Sequence, residues 1–208
     1  MPRRLLAFAF LTCAAFAQDE RRVTSPNGQI EFRLFITTQA NSNLSRIAYT
    51  VFDRDKPLVN TSLLGLDIQD QEPLLGENVG LTSSSSATSG KYNSLIARYM
   101  QNGSLGRLIN IEVRAYNDGV AFRYVIPQST PLIEIDIAEE ATEFRLTQPS
   151  HVSITESKSE TYPPMHVDQN TRFTHLDRPY RGTTPLTCPW RIISVGPAIV
   201  KDLLFLAI

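Results

Sequence analysis

Few residues in this chain combine the type and spacing that chemistry requires. Carboxylates stand close in sequence at places such as Glu139 with Glu140 and Glu156 with Glu160. Paired carboxylates do general acid and base work only when their side chains face a common reacting bond. Adjacency alone does not provide that, and Glu139-Glu140 reads as an acidic, solvated loop. Arg114, Asp118 and Arg123 surround an Asn117-Asp118-Gly119 turn and form a possible sugar-binding constellation. Turn chemistry accounts better for Asp118, whose side chain can bond nearby backbone. Cross-strand pairing or packing accounts better for the two arginines. Trp190 and Tyr162 could stack on a pyranose face, but a proline-flanked Trp190 reads as a domain-junction anchor. His151, His166 and His175 lack metal-ligand spacing, and Cys188 has no nucleophile motif around it.

Composition narrows the class. The chain has 208 residues, of which 42% are hydrophobic, enough for one good core. Its 20 basic and 21 acidic residues leave a formal charge of -1. That balance argues against a nucleic-acid partner, which calls for a basic face.

Residues 1–17 read as a secretory signal peptide. Arg3 and Arg4 form a positive start, Leu5 to Phe16 is largely apolar, and Ala15-Phe16-Ala17 supplies the small residues of a cleavage site. The apolar run is too short for a stable membrane span. The expectation is therefore an exported protein, periplasmic or extracellular, with no membrane association after cleavage. Of the two cysteines only Cys188 would remain, so no intramolecular disulfide is available and stability must come from packing.

The elements that must position these residues read as strands. From Val23 onward, short alternating runs recur between turn residues. Ile30, Phe32, Leu34 and Ile36 share one face of Gln29 to Thr38, and Ile47, Tyr49 and Val51 share one face of Ser45 to Phe52. Asp53 to Lys56 reads as a charged hairpin tip. Residues 82–90, rich in serine, read as a loop or mobile edge. Tyr92 to Met100, Leu105 to Tyr116 and Val120 to Ile126 read as three strands. The last two meet at Asn117-Asp118-Gly119, where a tight turn calls for positive φ. Ile133, Ile135 and Ile137 read as a further strand, and Ala138 to Phe144 as a brief helical or irregular turn. Seven prolines between Pro149 and Pro197 mark the C-terminal third as irregular chain. The fold class is all-β, a large antiparallel β-sandwich with an irregular proline-rich C-terminal segment.

Several segments, read in order, resemble glycoside hydrolase family 97, the calcium-dependent α-glucosidases and α-galactosidases. They are Thr24 to Ile30, Ser62 to Leu66, Arg114 to Tyr124, Ile154 to Met165 and Thr184 to Ile193. The resemblance covers Val23 to Val195, within an N-terminal domain of residues 18–195, and implies a sandwich of galactose-mutarotase type. It stops where the catalytic (β/α)8 barrel should begin, which leaves 196–208 as a divergent or truncated tail. The chain departs from the family pattern at Ser157, where the family has alanine, and at Pro164, where it has glycine.

The resemblance implies that Glu156 is a calcium ligand reaching into the active site of the barrel. Calcium takes several oxygen ligands, so one carboxylate can complete a shell that other residues mainly supply. Alone, Glu156 would hold calcium weakly. The family carries its acid and its base or nucleophile on the barrel, so no catalytic residue is assigned here, and no substrate-binding residue is assigned either. The expected partners are a (β/α)8 barrel domain and an α-glucoside or α-galactoside. Two rival readings are a free-standing carbohydrate-binding module and an inactive gene remnant.

Overall fold

The computed structural model describes residues 18–38, 43–103, 105–147, 150–152, 165–167, 180–183, 186–187 and 191–194. These residues hold strands and turns and no helix. A first meander contains β1 (Gln18–Thr24), β2 (Ile30–Thr38), β3 (Ser45–Asp53) and β4 (Lys56–Leu63). Two short strands follow, β5 (Leu66–Ile68) and β6 (Gln71–Leu75). A second meander contains β7 (Val79–Thr88), β8 (Tyr92–Gln101), β9 (Leu108–Tyr116) and β10 (Gly119–Ile126). Beyond it come β11 (Glu134–Glu140), β12 (Ser150–Val152), β13 (Met165–Val167), β14 (Tyr180–Thr183), β15 (Leu186–Thr187) and β16 (Arg191–Ser194).

The first meander forms a four-stranded sheet in chain order. The second forms a six-stranded sheet, β15-β10-β9-β8-β7, in which β16 also pairs with β10. A third sheet runs β14-β11-β5-β6, and β12 pairs with β13. All strand pairings are antiparallel. The all-β sandwich expected from the sequence is thus present. Parts of the proline-rich third also join it, through β14, β15 and β16.

Alternation puts one face of each sheet into a shared core. The first sheet supplies Ile30, Phe32, Leu34, Ile47, Tyr49 and Val51, and the six-stranded sheet supplies Ile109, Ile111, Val113, Val120, Phe122 and Tyr124, all buried. Aromatic rings join the layers. Phe32 stacks on Tyr49 with centroids 5.1 Å apart, and Phe122 tilts against both at 5.7 and 5.1 Å. Phe144 closes the group at 6.1 Å from Phe122.

Four local expectations are corrected. The serine-rich stretch is not a loop: residues 82–88 belong to β7, the edge strand of the six-stranded sheet. It is exposed on both faces, so its pairing with β8, rather than any apolar pattern, defines it as a strand. Ala138 to Phe144 is neither helical nor a turn. β11 runs to Glu140, and the chain then lies along β4, with Glu143 N donating to Leu63 O at 2.8 Å and Thr147 N to Leu58 O at 3.0 Å. Ile133 does not alternate inward with Ile135 and Ile137, and is 83% exposed. Asn117, Asp118 and Gly119 all lack positive φ. The hairpin tip at Arg54 and Asp55 has it instead, at 47° and 66°.

Phe122 sits at the centre of the aromatic group with no exposed surface. Replacing it by alanine should lower stability by about 3–5 kcal/mol. The urea midpoint of Phe122→Ala relative to the parent chain checks this.

Candidate functional site

Segments far apart in sequence meet around β10. One edge of β10 pairs with β9, from Gly119↔Tyr116 to Val125↔Asn110. Its other edge pairs with β16, from Gly119↔Ser194 to Phe122↔Arg191, and with β15, Ile126↔Leu186. At the turn end, Asn117 Oδ1 accepts from Asn27 N at 2.9 Å, which ties this hairpin to the turn between β1 and β2. Here Asn117, not Asp118, makes the side-chain bond to backbone. Further along β10, the Tyr124 hydroxyl accepts from Gly65 N at 3.1 Å. Two of the other segments that carry the family resemblance, Ser62 to Leu66 and Thr184 to Ile193, therefore meet β10 itself, and Thr24 to Ile30 meets the turn before it.

Tyr124 also starts a buried polar chain. Its hydroxyl lies 2.6 Å from Thr142 Oγ1, and Thr142 Oγ1 donates to Glu140 Oε1 at 2.6 Å. Each hydroxyl has one proton. The direction is therefore fixed: Gly65 N–H to Tyr124, Tyr124 O–H to Thr142, Thr142 O–H to the Glu140 carboxylate. Glu140, Thr142 and Tyr124 have no exposed surface. The acidic pair Glu139-Glu140 is thus not the solvated loop the sequence suggested, because Glu140 is a buried acceptor on β11. Gly65 sits in close quarters, where a side chain would have to displace its neighbours. A Cβ there would lie 2.1 Å from Leu74 Cδ2 and 3.2 Å from Leu75 O. Arg46 spans the same junction, donating from Nε to Leu64 O at 3.1 Å and from Nη2 to Ala141 O at 2.8 Å.

The outward face of the hairpin accounts for the two arginines. Arg123 pairs across strands with Glu112, Nε to Oε2 at 2.7 Å and Nη2 to Oε2 at 2.6 Å. The Arg114 guanidinium lies over the Tyr92 ring at 4.8 Å, and Tyr92 contacts Tyr116 at 5.2 Å. These are the cross-strand and packing roles expected of them.

Among the described residues, no three His, Cys, Asp or Glu side chains cluster as metal ligands. His151 and His166, read as having no metal-ligand spacing, are register partners in β12 and β13. Glu156, Glu160, Tyr162, His175, Cys188 and Trp190 lie outside the described residues, as do residues 1–17 and 196–208. Sequence reasoning missed the Glu140 chain. Tyr124, Thr142 and Gly65 are unremarkable in type, and only the return of the chain beside β4 brings them together.

The geometry defines an antiparallel sandwich domain built around one central hairpin. A family model for the N-terminal part of glycosyl-hydrolase 97 matches residues 23–152, more than half of the chain, and the chain belongs to that family. No curated protein matches. Solved structures show the same fold at low identity. One is a family 97 glycoside hydrolase variant from Pseudoalteromonas sp. strain K8 in complex with panose, 16% identical with a TM-score of 0.61, matched over 85% of this chain and 35% of that one. The same enzyme in complex with acarbose is 17% identical with a TM-score of 0.60 and the same coverage. A beta-arabinopyranosidase is 14% identical with a TM-score of 0.65, matched over 86% of this chain and 40% of that one. The chain thus spans less than half the length of the enzymes it resembles.

Thr142→Val keeps the shape of Thr142 but removes the hydroxyl that bonds both Tyr124 and Glu140. It should destabilise the fold by roughly 2 kcal/mol, while Thr142→Ser restores most of the loss. Urea melts of the two variants measure this.

Burial raises the pKa of both Tyr49 and Tyr99. In the unfolded chain they ionise near the ordinary value, about 10. Above that pH the native state binds more protons than the unfolded state, so stability falls as pH rises. The urea midpoint should therefore drop above about pH 10. In Tyr49→Phe combined with Tyr99→Phe the drop should be much smaller.

Proposed function

We propose that this chain is the exported, non-catalytic N-terminal domain of a family 97 glycoside hydrolase. In this reading it packs against a (β/α)8 barrel and helps to shape a pocket for an α-glucoside or α-galactoside. The observation that carries the reading is the family match over residues 23–152, on a chain that spans only about a third of its solved relatives. The convergence of the resembling segments on β10 supports a scaffold role for them. The described residues do not themselves build a calcium shell, because no cluster of three ligand side chains occurs among them. Calcium takes about six to eight oxygens. The calcium we propose is therefore shared, with Glu156 giving one carboxylate and the barrel giving the rest. When bound, such an ion would polarise a glycosidic oxygen.

Purified chain should show no turnover of p-nitrophenyl α-glucoside or α-galactoside, and clear turnover overturns the non-catalytic reading. Joined to the barrel of a family enzyme, Glu156→Gln should raise the calcium concentration needed for half-maximal activity roughly tenfold. An unchanged calcium requirement would remove Glu156 from the ligand set. Expressed with residues 1–17, the mature protein should begin at Gln18, which mass spectrometry of the exported product reads directly.

A further inference from the structure

We propose that the free edge of β7 docks an extended acidic peptide segment, which joins the six-stranded sheet as an added strand. Among the described residues, β7 ends the strand order and pairs only with β8. Its register shifts between Leu81 and Ser83. From there Ser83 to Thr88 pair without interruption with Arg98 to Asn93. Residues 82–88 are all exposed. Alternate residues of an edge strand turn their N–H and C=O groups outward, a ready template for another strand. Edges are commonly blocked by lysine, proline or short length. β7 is 10 residues long and contains no charged residue and no proline.

Charge selects the occupant. Arg21 Nε donates to Ser84 Oγ at 2.9 Å, and Arg98 Nη1 donates to Ser85 Oγ at 3.3 Å. Consecutive strand residues project to opposite faces. One guanidinium therefore flanks each face of the edge. Among the described residues neither arginine has a carboxylate within 4.0 Å, in contrast to Arg22, Arg33, Arg46, Arg54, Arg123 and Arg145. An incoming strand with acidic residues at two adjacent positions presents one carboxylate to each face, and each meets a cation held in place by a serine. A second copy of this chain fits less well. Pairing β7 with β7 gathers four guanidinium groups around strands that contain no acid. The mode is strand addition, with backbone bonds supplying affinity and the arginines supplying selection.

The test is fluorescence anisotropy of the full chain with a labelled peptide Thr-Val-Thr-Val-Glu-Asp-Val-Thr-Val-Thr. Saturable binding is expected, together with slowed amide exchange confined to Ser83–Thr88. The peptide with Lys-Lys at its centre, and the peptide with a central proline, should not bind. Arg21→Gln with Arg98→Gln should weaken binding roughly tenfold, and Arg21→Lys with Arg98→Lys should retain part of it. Circular dichroism melts confirm that both variants are folded. The proposal fails if binding does not saturate, if the lysine peptide binds equally well, if the double glutamine variant is unaffected, or if sedimentation shows that copies of the chain associate through this edge.

Discussion

The structure depends on β10 being satisfied on both edges and both faces at once. A central strand has no solvent to fall back on, so each of its backbone groups needs a partner strand. β9 provides one edge through a two-residue turn. The other edge is provided by β15 and β16, which arrive some sixty or more residues later. The inward face holds Phe122 against Phe32 and Tyr49, and puts the Tyr124 hydroxyl within reach of Gly65 and Thr142. Ser62 to Leu66 and Thr184 to Ile193, two segments that resemble the family, are far apart in the chain yet meet this one strand.

The same demand explains why polar groups are buried where the sheets meet. Between β4 and β5, and between β6 and β7, the chain passes from one sheet to another and leaves carbonyls that no strand can serve. Arginine and glutamine supply several donors each. Arg46 serves Leu64 and Ala141. Gln101 Nε2 donates to Leu74 O and Glu77 O, both at 2.9 Å. Arg107, only 2% exposed, donates to Gln101 Oε1 at 2.7 Å and reaches Gln71 O and Pro73 O. Burial pulls the Arg107 pKa below its ordinary value, with Glu72 opposing. The cation sits among neutral oxygens, Gln101 Oε1, Gln71 O and Pro73 O.

What was legible in the sequence was whatever periodicity records. The inward faces of β2, β3, β9 and β10 could be read because apolar side chains alternate there and each one is buried. The Arg114–Tyr124 hairpin was read in the right place, but its turn chemistry was not. Asn-Asp-Gly invites positive φ without requiring it, whereas Arg54 and Asp55 adopt it where Asp53 and Lys56 are paired on either side. β7 was read as a loop or mobile edge, and not as a strand, because a strand exposed on both faces has no apolar pattern. Glu140 was misplaced because acidic residues are rarely buried, and the hydroxyls that make its burial tolerable lie on other segments. Glu156 rests on motif resemblance alone, since nothing in the pattern around it distinguishes a ligand from a solvated strand residue.

These engagements bear on what the domain can do by itself. Glu112 bonds Arg123, Glu140 bonds Thr142, and Glu143 bonds Arg145. Each of these carboxylates is bonded to a cation or a hydroxyl that fixes its orientation for structural reasons. Acid–base cleavage of a glycoside needs two carboxylates free to face a substrate across a few ångströms. A side chain cannot readily serve both ends, because releasing it for catalysis leaves its structural partner unsatisfied. For Glu112, Glu140 and Glu143 the bonding therefore favours a structural role.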